Sequence, residues 1–233
     1  MAYRFEPDEN VREAFARCAR EQLDLAVRAL GEKLDREPAE AVHEARKAIK
    51  RERALLRLLR GTIGAQTRRP ENAALRAADR GLSGAREGEV LTQTLDQLSE
   101  QFSGQLPASS FNAVRQRLEL RRSDQRRLLA AATASSEALR DVRMRVDDWE
   151  LGRDGWRALE AGLLRSYRRG RQAFRRARED RSSASLHDWR KRVKDLWYQL
   201  RLLAPDGGPA VAGQAKDADR MSALNCPCAD QAY

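Results

Sequence analysis

The chain offers little material for cross-linking, for membrane spanning or for base stacking. Cysteine occurs three times, at Cys18, Cys226 and Cys228. One early residue and a late Cys-Pro-Cys pair form neither a disulfide framework nor a zinc spacing. Aromatic residues make up only 6%, whereas single-strand nucleic-acid binders rely on exposed aromatics. β-Branched residues are scarce, which argues against sheets. No apolar run approaches the roughly 20 residues of a membrane helix. The N-terminal MAYRFEPDENVREAF lacks an apolar signal core. The expectation is a cytoplasmic protein without membrane contact. No Gly-rich phosphate loop occurs. Neither histidine has a Ser or Cys motif partner, so no nucleophilic site is expected. Asp147, Asp148 and Glu150 lack partner carboxylates at metal spacing, and no metal or cofactor is expected.

What the chain has is helix-forming sequence and positive charge. Its 233 residues suffice to bury a core. Of them 41% are hydrophobic, mostly Ala and Leu, and 34% are charged. Ala, Leu, Arg and Glu favour helices, so the fold class is all-α. There are 45 Lys+Arg against 35 Asp+Glu, a net charge of +10. Arg far outnumbers Lys. Its planar fork of donors suits phosphate oxygens. This balance points to a polyanionic partner, whether nucleic acid, an anionic membrane or a phosphate polymer.

Pro and Gly divide the chain into predicted helices. The first spans about 8–30 and stops at Gly31. The second opens at Pro38, a favourable first-turn residue, and runs to Arg60. Others cover about 71–80, 86–102, 107–134 and 153–179, with 135–151 ambiguous. Ser182 and Ser183 are candidate N-caps for a helix ending near Leu203. Beyond Pro205-Asp206-Gly207-Gly208-Pro209 the predicted tail, 205–233, is irregular.

An internal repeat is the informative feature. Val42 to Leu59 reads VHEARKAIKRERALLRLL, and Leu186 to Leu203 reads LHDWRKRVKDLWYQLRLL. At an offset of 144 residues, without gaps, 8 of 18 positions are identical. Two unrelated bundle helices would share a hydrophobic pattern, but not His-x-x-Arg-Lys-x-x-Lys in one register. On a helix, Leu186, Trp189, Val193, Leu196, Leu200 and Leu203 form an apolar stripe. In the first copy the stripe is Val42, Ala45, Ile49, Leu56 and Leu59. Beside each stripe runs a basic ridge. It comprises His43, Arg46, Lys47, Lys50, Arg53 and Arg57 in the first copy, and His187, Arg190, Lys191, Lys194 and Arg201 in the second. Successive cations are about 5 Å apart along the axis. Their repulsion destabilises an isolated helix, which implies an anion that neutralises them.

The doubled His-x-x-Arg-Lys-x-x-Lys helix resembles the CHAD family, the conserved histidine α-helical domain. Leu82-Ser83-Gly84-Ala85-Arg86-Glu87-Gly88-Glu89-Val90 is similar to the family's Leu-Gly-x-x-Arg-Asp-x-x-Val segment, with Glu87 in place of Asp. Tyr167-Arg168-Arg169-Gly170-Arg171 resembles its Tyr-x-Arg-Gly-Arg stretch. The likeness covers about 8–204. It implies two pseudo-symmetric antiparallel helical bundles, about 8–105 and 107–204, with a basic groove between them. It also implies inorganic polyphosphate as ligand, without catalysis. The ligand-facing set would be both ridges with Arg168 and Arg171 from the preceding helix. Arg121, Arg122 and Arg126 are further candidates that no motif supports. A basic nucleic-acid-binding module is the alternative, and a third reading is a scaffold role in which polyphosphate tethers the protein to granules. The first half continues past its His helix with helices over about 71–102, whose counterparts would occupy 215–246. Either the second bundle is incomplete, with a partner copy of the chain supplying the missing helices, or the tail is not family sequence.

Overall fold

A computed structural model describes residues 3–6, 8–83, 95–102, 107, 109, 111–116, 125–204 and 208–224. The described residues are helical apart from their turns and one isolated bridge between Ile63 and Leu151. Helix α1 spans Val11–Arg28. Asn10 opens it, accepting from the Glu13 amide while the Glu13 carboxylate accepts from the Asn10 amide. This reciprocal cap sets the start three residues after Asp8. Gly31 does not stop the helix, which passes through it in a π-helical turn, Ala29–Lys33.

Helix α2, Pro38–Leu58, carries the first repeat and tightens into a 3-10 turn, Leu59–Gly61. Helix α3, Ala65–Gly81, begins six residues ahead of the expected start at Glu71. Pro70 lies within it, close enough to the N-terminus that little of the hydrogen-bond ladder is lost. Helical segments at 95–101 and 111–116 follow. Helix α4, Gln125–Arg145, runs through the ambiguous stretch and ends in a 3-10 turn, Val146–Asp148. Helix α5 is Trp156–Asp180 and helix α6, carrying the second repeat, is Ser183–Leu203. Between them Arg181 takes a left-handed conformation, φ 49°, and the Ser182 hydroxyl accepts from the Ser185 amide.

The irregular tail expected after residue 205 is corrected: helix α7 covers Gly208–Leu224 and packs on α6. Displaced by the 144-residue repeat, α3 would fall on 209–225, within one residue of α7. By position along the chain, α7 thus matches α3 in the register of the repeat. Its small, Ala-rich sequence disguised a modest apolar face, formed by Val211, Ala215 and Ala218 at helical spacing.

The larger core lies among α1, α2, α3 and α4, around Phe15, Leu23, Ile49, Leu55, Leu56, Leu75 and Leu139. The stripe expected on α2 is wholly buried. A smaller cluster holds Val193, Leu200 and Ala218, with Leu163, Trp189, Leu196 and Val211 packed on it. Helix α6 joins the two, because Tyr198, Leu202 and Leu203 enter the larger core. It is thus buried on two faces, one more than the predicted stripe. The N-terminal segment secures this join. The Phe5 amide donates to the Leu202 carbonyl at 3.0 Å, and Tyr3 meets Tyr198 edge-on at 6.4 Å.

Candidate functional site

The fold brings the two repeat helices together. Within the contact, Gln199 Nε2 of α6 donates to the Ala54 carbonyl of α2 at 3.0 Å, and the Arg57 guanidinium pairs with Asp195 at 2.8 Å. Lys47, Lys50, Ala54 and Arg57 recur at steps of three and four, so they share one side of α2. That side meets α6. Across the contact the charge of Lys50 reaches His187. The imidazole is held below its usual range by burial, then by Lys191 and Arg190, with Lys50 adding to them and Asp188 opposing. His187 is therefore neutral at neutral pH and offers an N–H donor among cations.

Not every ridge cation is equally available. Arg46 and Arg53 turn towards α3, where Asp79 receives both, at 3.0 and 3.6 Å. Arg53 Nε also donates to Asn72. An anion at these two positions would compete with Asp79. In the second half the residue equivalent to Asp79 by the repeat is Ala223. On α6, Lys194 Nζ lies 4.5 Å from the centre of the Trp197 ring and the Arg201 guanidinium 5.7 Å from it. Trp197 is thus a cation platform, packed at its base against the core. Arg190 and Lys191 flank His187 in field. His43, Lys47, Lys50, Arg190 and Lys194 each have interactions of their own within the fold.

Arg168 and Arg171 are placed differently from the ridges. Helix α5 presses on α2 through Gly162, where an added Cβ would collide with the Leu58 carbonyl. Counting 100° per residue from Gly162, Arg169 lies close to that contact line, and Arg168 and Arg171 lie well round the helix. Arg171 instead covers the exposed Tyr167 ring at 6.0 Å. Arg169 sits in the field of Arg192, Arg165 and Arg57, which, after burial, lowers its guanidinium's proton affinity. Of the Tyr-Arg-Arg-Gly-Arg run, Arg169 is the residue whose charge lies in the field of both repeat helices. The sequence reading passed over it, although a helical wheel centred on Gly162 separates it from its neighbours.

Sequence reasoning also missed Asp79, Asp195 and Gln199. Long-range partners of this kind carry no motif. Cys226, Cys228, Arg121 and Arg122 lie outside the described residues, as do most of 82–90 and the Arg126 side chain. Asp147 pairs with Arg20.

A family model described as CHAD domain matches residues 13–224. The chain belongs to the CHAD family. No curated protein and no solved structure matches it. The family match runs to the last residue of α7, so the CHAD domain takes in the helix that the sequence alone left as tail. In this CHAD domain the two histidine motifs open α2 and α6, the helices in mutual contact. Among the described residues, no helix is long and apolar enough to cross a membrane.

Proposed function

We propose that this CHAD domain binds inorganic polyphosphate along the facing ridges of α2 and α6 and performs no chemistry on it. The observation that carries this reading is the pairing of two His-x-x-Arg-Lys-x-x-Lys helices, with Lys50 of one copy acting on His187 of the other. A flexible polymer of uniform charge needs a line of cations and has no sequence to read. The ridges supply such a line at a helical repeat of about 5 Å. Binding is driven by counterion release and by charge-assisted hydrogen bonds from Arg and Lys. The neutral His187 adds an N–H donor that loses no solvation of a full charge.

Polyphosphate is favoured over single-stranded nucleic acid by the state of Trp197, the aromatic beside the α6 ridge. Trp197 already carries Lys194 and Arg201, so its ring holds cations and is not an open surface for a base. The absence of a Gly-rich phosphate loop from the sequence supports binding without turnover. In this reading the protein is a polyphosphate-associated factor, consistent with anchoring to polyphosphate granules.

Charge reversal tests the ridge. The double variant Lys50→Glu/Lys194→Glu should bind long-chain polyphosphate at least about tenfold more weakly with its helicity intact. Unchanged affinity, measured by competition at fixed salt, would remove the ridge from the site.

A further inference from the structure

Helix α4 covers the first half from outside. It lies across α1 and α3 together. Its Arg143 pairs with Asp24 of α1 at 3.1 Å, and its Arg145 with Glu71 of α3 at 2.7 Å. In the register of the repeat, α5 and α7 take the places of α1 and α3. Among the described residues, none of helices α1 to α7 lies across both of them in this way. The difference shows in burial at matching positions. Leu23 and Leu30 are 1% and 5% exposed, whereas Tyr167 and Phe174, 144 residues on, are 48% and 40% exposed. The stripe of α6 follows suit. Its Leu186 and Trp189 are only partly buried, where Val42 and Ala45 of α2 are wholly so.

Leu164, Tyr167, Arg171, Phe174 and Arg178 recur along α5 at steps of three and four. They form one strip about 21 Å long. Counted from Gly162, which meets α2, the strip lies on the side of α5 turned away from that crossing. Its rings sit beneath arginines. Arg171 is 6.0 Å from the centre of Tyr167, and Arg178 is 5.9 Å from that of Phe174. From Leu164 to Arg178 the helix holds seven arginines and no acid. An apolar strip left exposed and edged by one sign of charge suits a partner of the opposite sign.

The repeat shows what kind of helix would fit. Asp24 and Glu71 receive the arginines of α4, and at their positions the second half has Arg168 and Ala215. A helix like α4, that of a second copy included, would bring arginine against arginine. A helix whose apolar stripe is flanked by Asp and Glu buries Leu164, Tyr167 and Phe174 and gives the arginines carboxylates to hold.

We propose that the Leu164–Arg178 strip of α5 docks an acidic amphipathic helix of a partner protein, laid over the second half as α4 lies over the first. Arg171, well round α5 from the ridges, belongs to this surface. The ridges of α2 and α6 stay free, so the domain holds a partner and a polyanion at once.

The probe is a fluorescein-labelled synthetic peptide of about 20 residues, with Leu at helical spacing and Glu elsewhere. A peptide of the same composition in scrambled order is the control. Fluorescence anisotropy with the full chain should show the amphipathic peptide binding at least about tenfold more tightly than the scrambled one. Leu164→Ser/Tyr167→Ser should weaken it about tenfold and leave the affinity for long-chain polyphosphate unchanged. Circular dichroism checks that helicity is retained. Should that variant lose it, Arg175→Glu/Arg178→Glu changes only the charge at the strip and should weaken the amphipathic peptide to the same degree. Equal binding of the two peptides, or an amphipathic peptide indifferent to the substitutions, overturns the proposal. So does a dimer in light scattering that Leu164→Ser/Tyr167→Ser converts to monomer, which would seat a second copy on the strip.

Discussion

At the scale of single residues, His187 reports on the ligand. Burial and three neighbouring cations favour its neutral form. In the free protein this lowering works against the fold in acid. Stability is lost as pH falls through the unfolded value towards the depressed folded one. A bound polyanion reverses the local field. The imidazole pKa, followed by NMR, should lie below the usual value in the free protein and move upward on adding polyphosphate. Affinity should accordingly rise as pH falls through that range. An imidazole whose titration ignores polyphosphate would place the ligand elsewhere.

Glu52 belongs to a different problem. It occupies the apolar stripe of α2, three residues after Ile49 and four before Leu56, and is fully buried. Neither carboxylate oxygen has a hydrogen-bond partner. Burial, with a smaller contribution from the charge of Glu71, pushes its pKa up to about 8. A raised carboxyl pKa means that the unfolded chain releases its proton first. Stability therefore falls as pH climbs from the ordinary carboxyl range to about 8 and levels off above it. Glu52→Gln should match the parent protein near pH 5, exceed it near pH 8 and flatten the profile. Urea denaturation at several pH values measures this, and parallel profiles for the two proteins would contradict it. The sequence reading skipped Glu52 because the stripe remains recognisable without it. No local feature distinguishes a charged residue inside a stripe from one at its edge.

At the scale of elements, the site depends on how closely α5 approaches α2. Thr62 Oγ1 donates to the Ala158 carbonyl at 3.0 Å, and Gly162 lies against the Leu58 carbonyl, so the backbones meet without intervening side chains. Gly162→Ala introduces a methyl group where backbone stands. It should destabilise the fold by about 1–3 kcal/mol, the usual range for overpacking. A denaturation midpoint equal to the parent's would show that the crossing is looser than described. The helices themselves were legible from periodicity and caps. Pro38 at the first turn of α2 and Ser182 before α6 stand where the sequence placed them. Boundaries shifted where glycine or proline was given too much weight. Gly31 stays helical, and Pro70 sits inside α3. Helix α7 escaped notice because its apolar face is built largely from alanine, which marks helix and tail alike.

At the scale of the whole molecule, the repeat made two histidine helices visible, and the structure shows them in contact. What the repeat did not reveal is the asymmetry between the halves. Asp79 holds Arg46 and Arg53 in the first half, while its counterpart in the second is Ala223. Asp195, which receives Arg57 across the contact, stands where the first copy has Arg51. Such pairings depend on which helices meet, and spacing along one chain does not encode that. The net charge of +10 attracts any polyanion, so charge alone does not choose among them. In the proposed reading the choice comes from the arrangement: lines of cations on two helices in contact, and a tryptophan occupied by cations.

The most direct measurement is competition of long-chain polyphosphate against DNA and RNA for the purified chain across a salt series. The account predicts that polyphosphate displaces both nucleic acids at physiological salt, with affinity falling steeply as salt rises. Nucleic acid binding as well as or better than polyphosphate at matched charge would contradict it and assign the paired ridges to another polyanion.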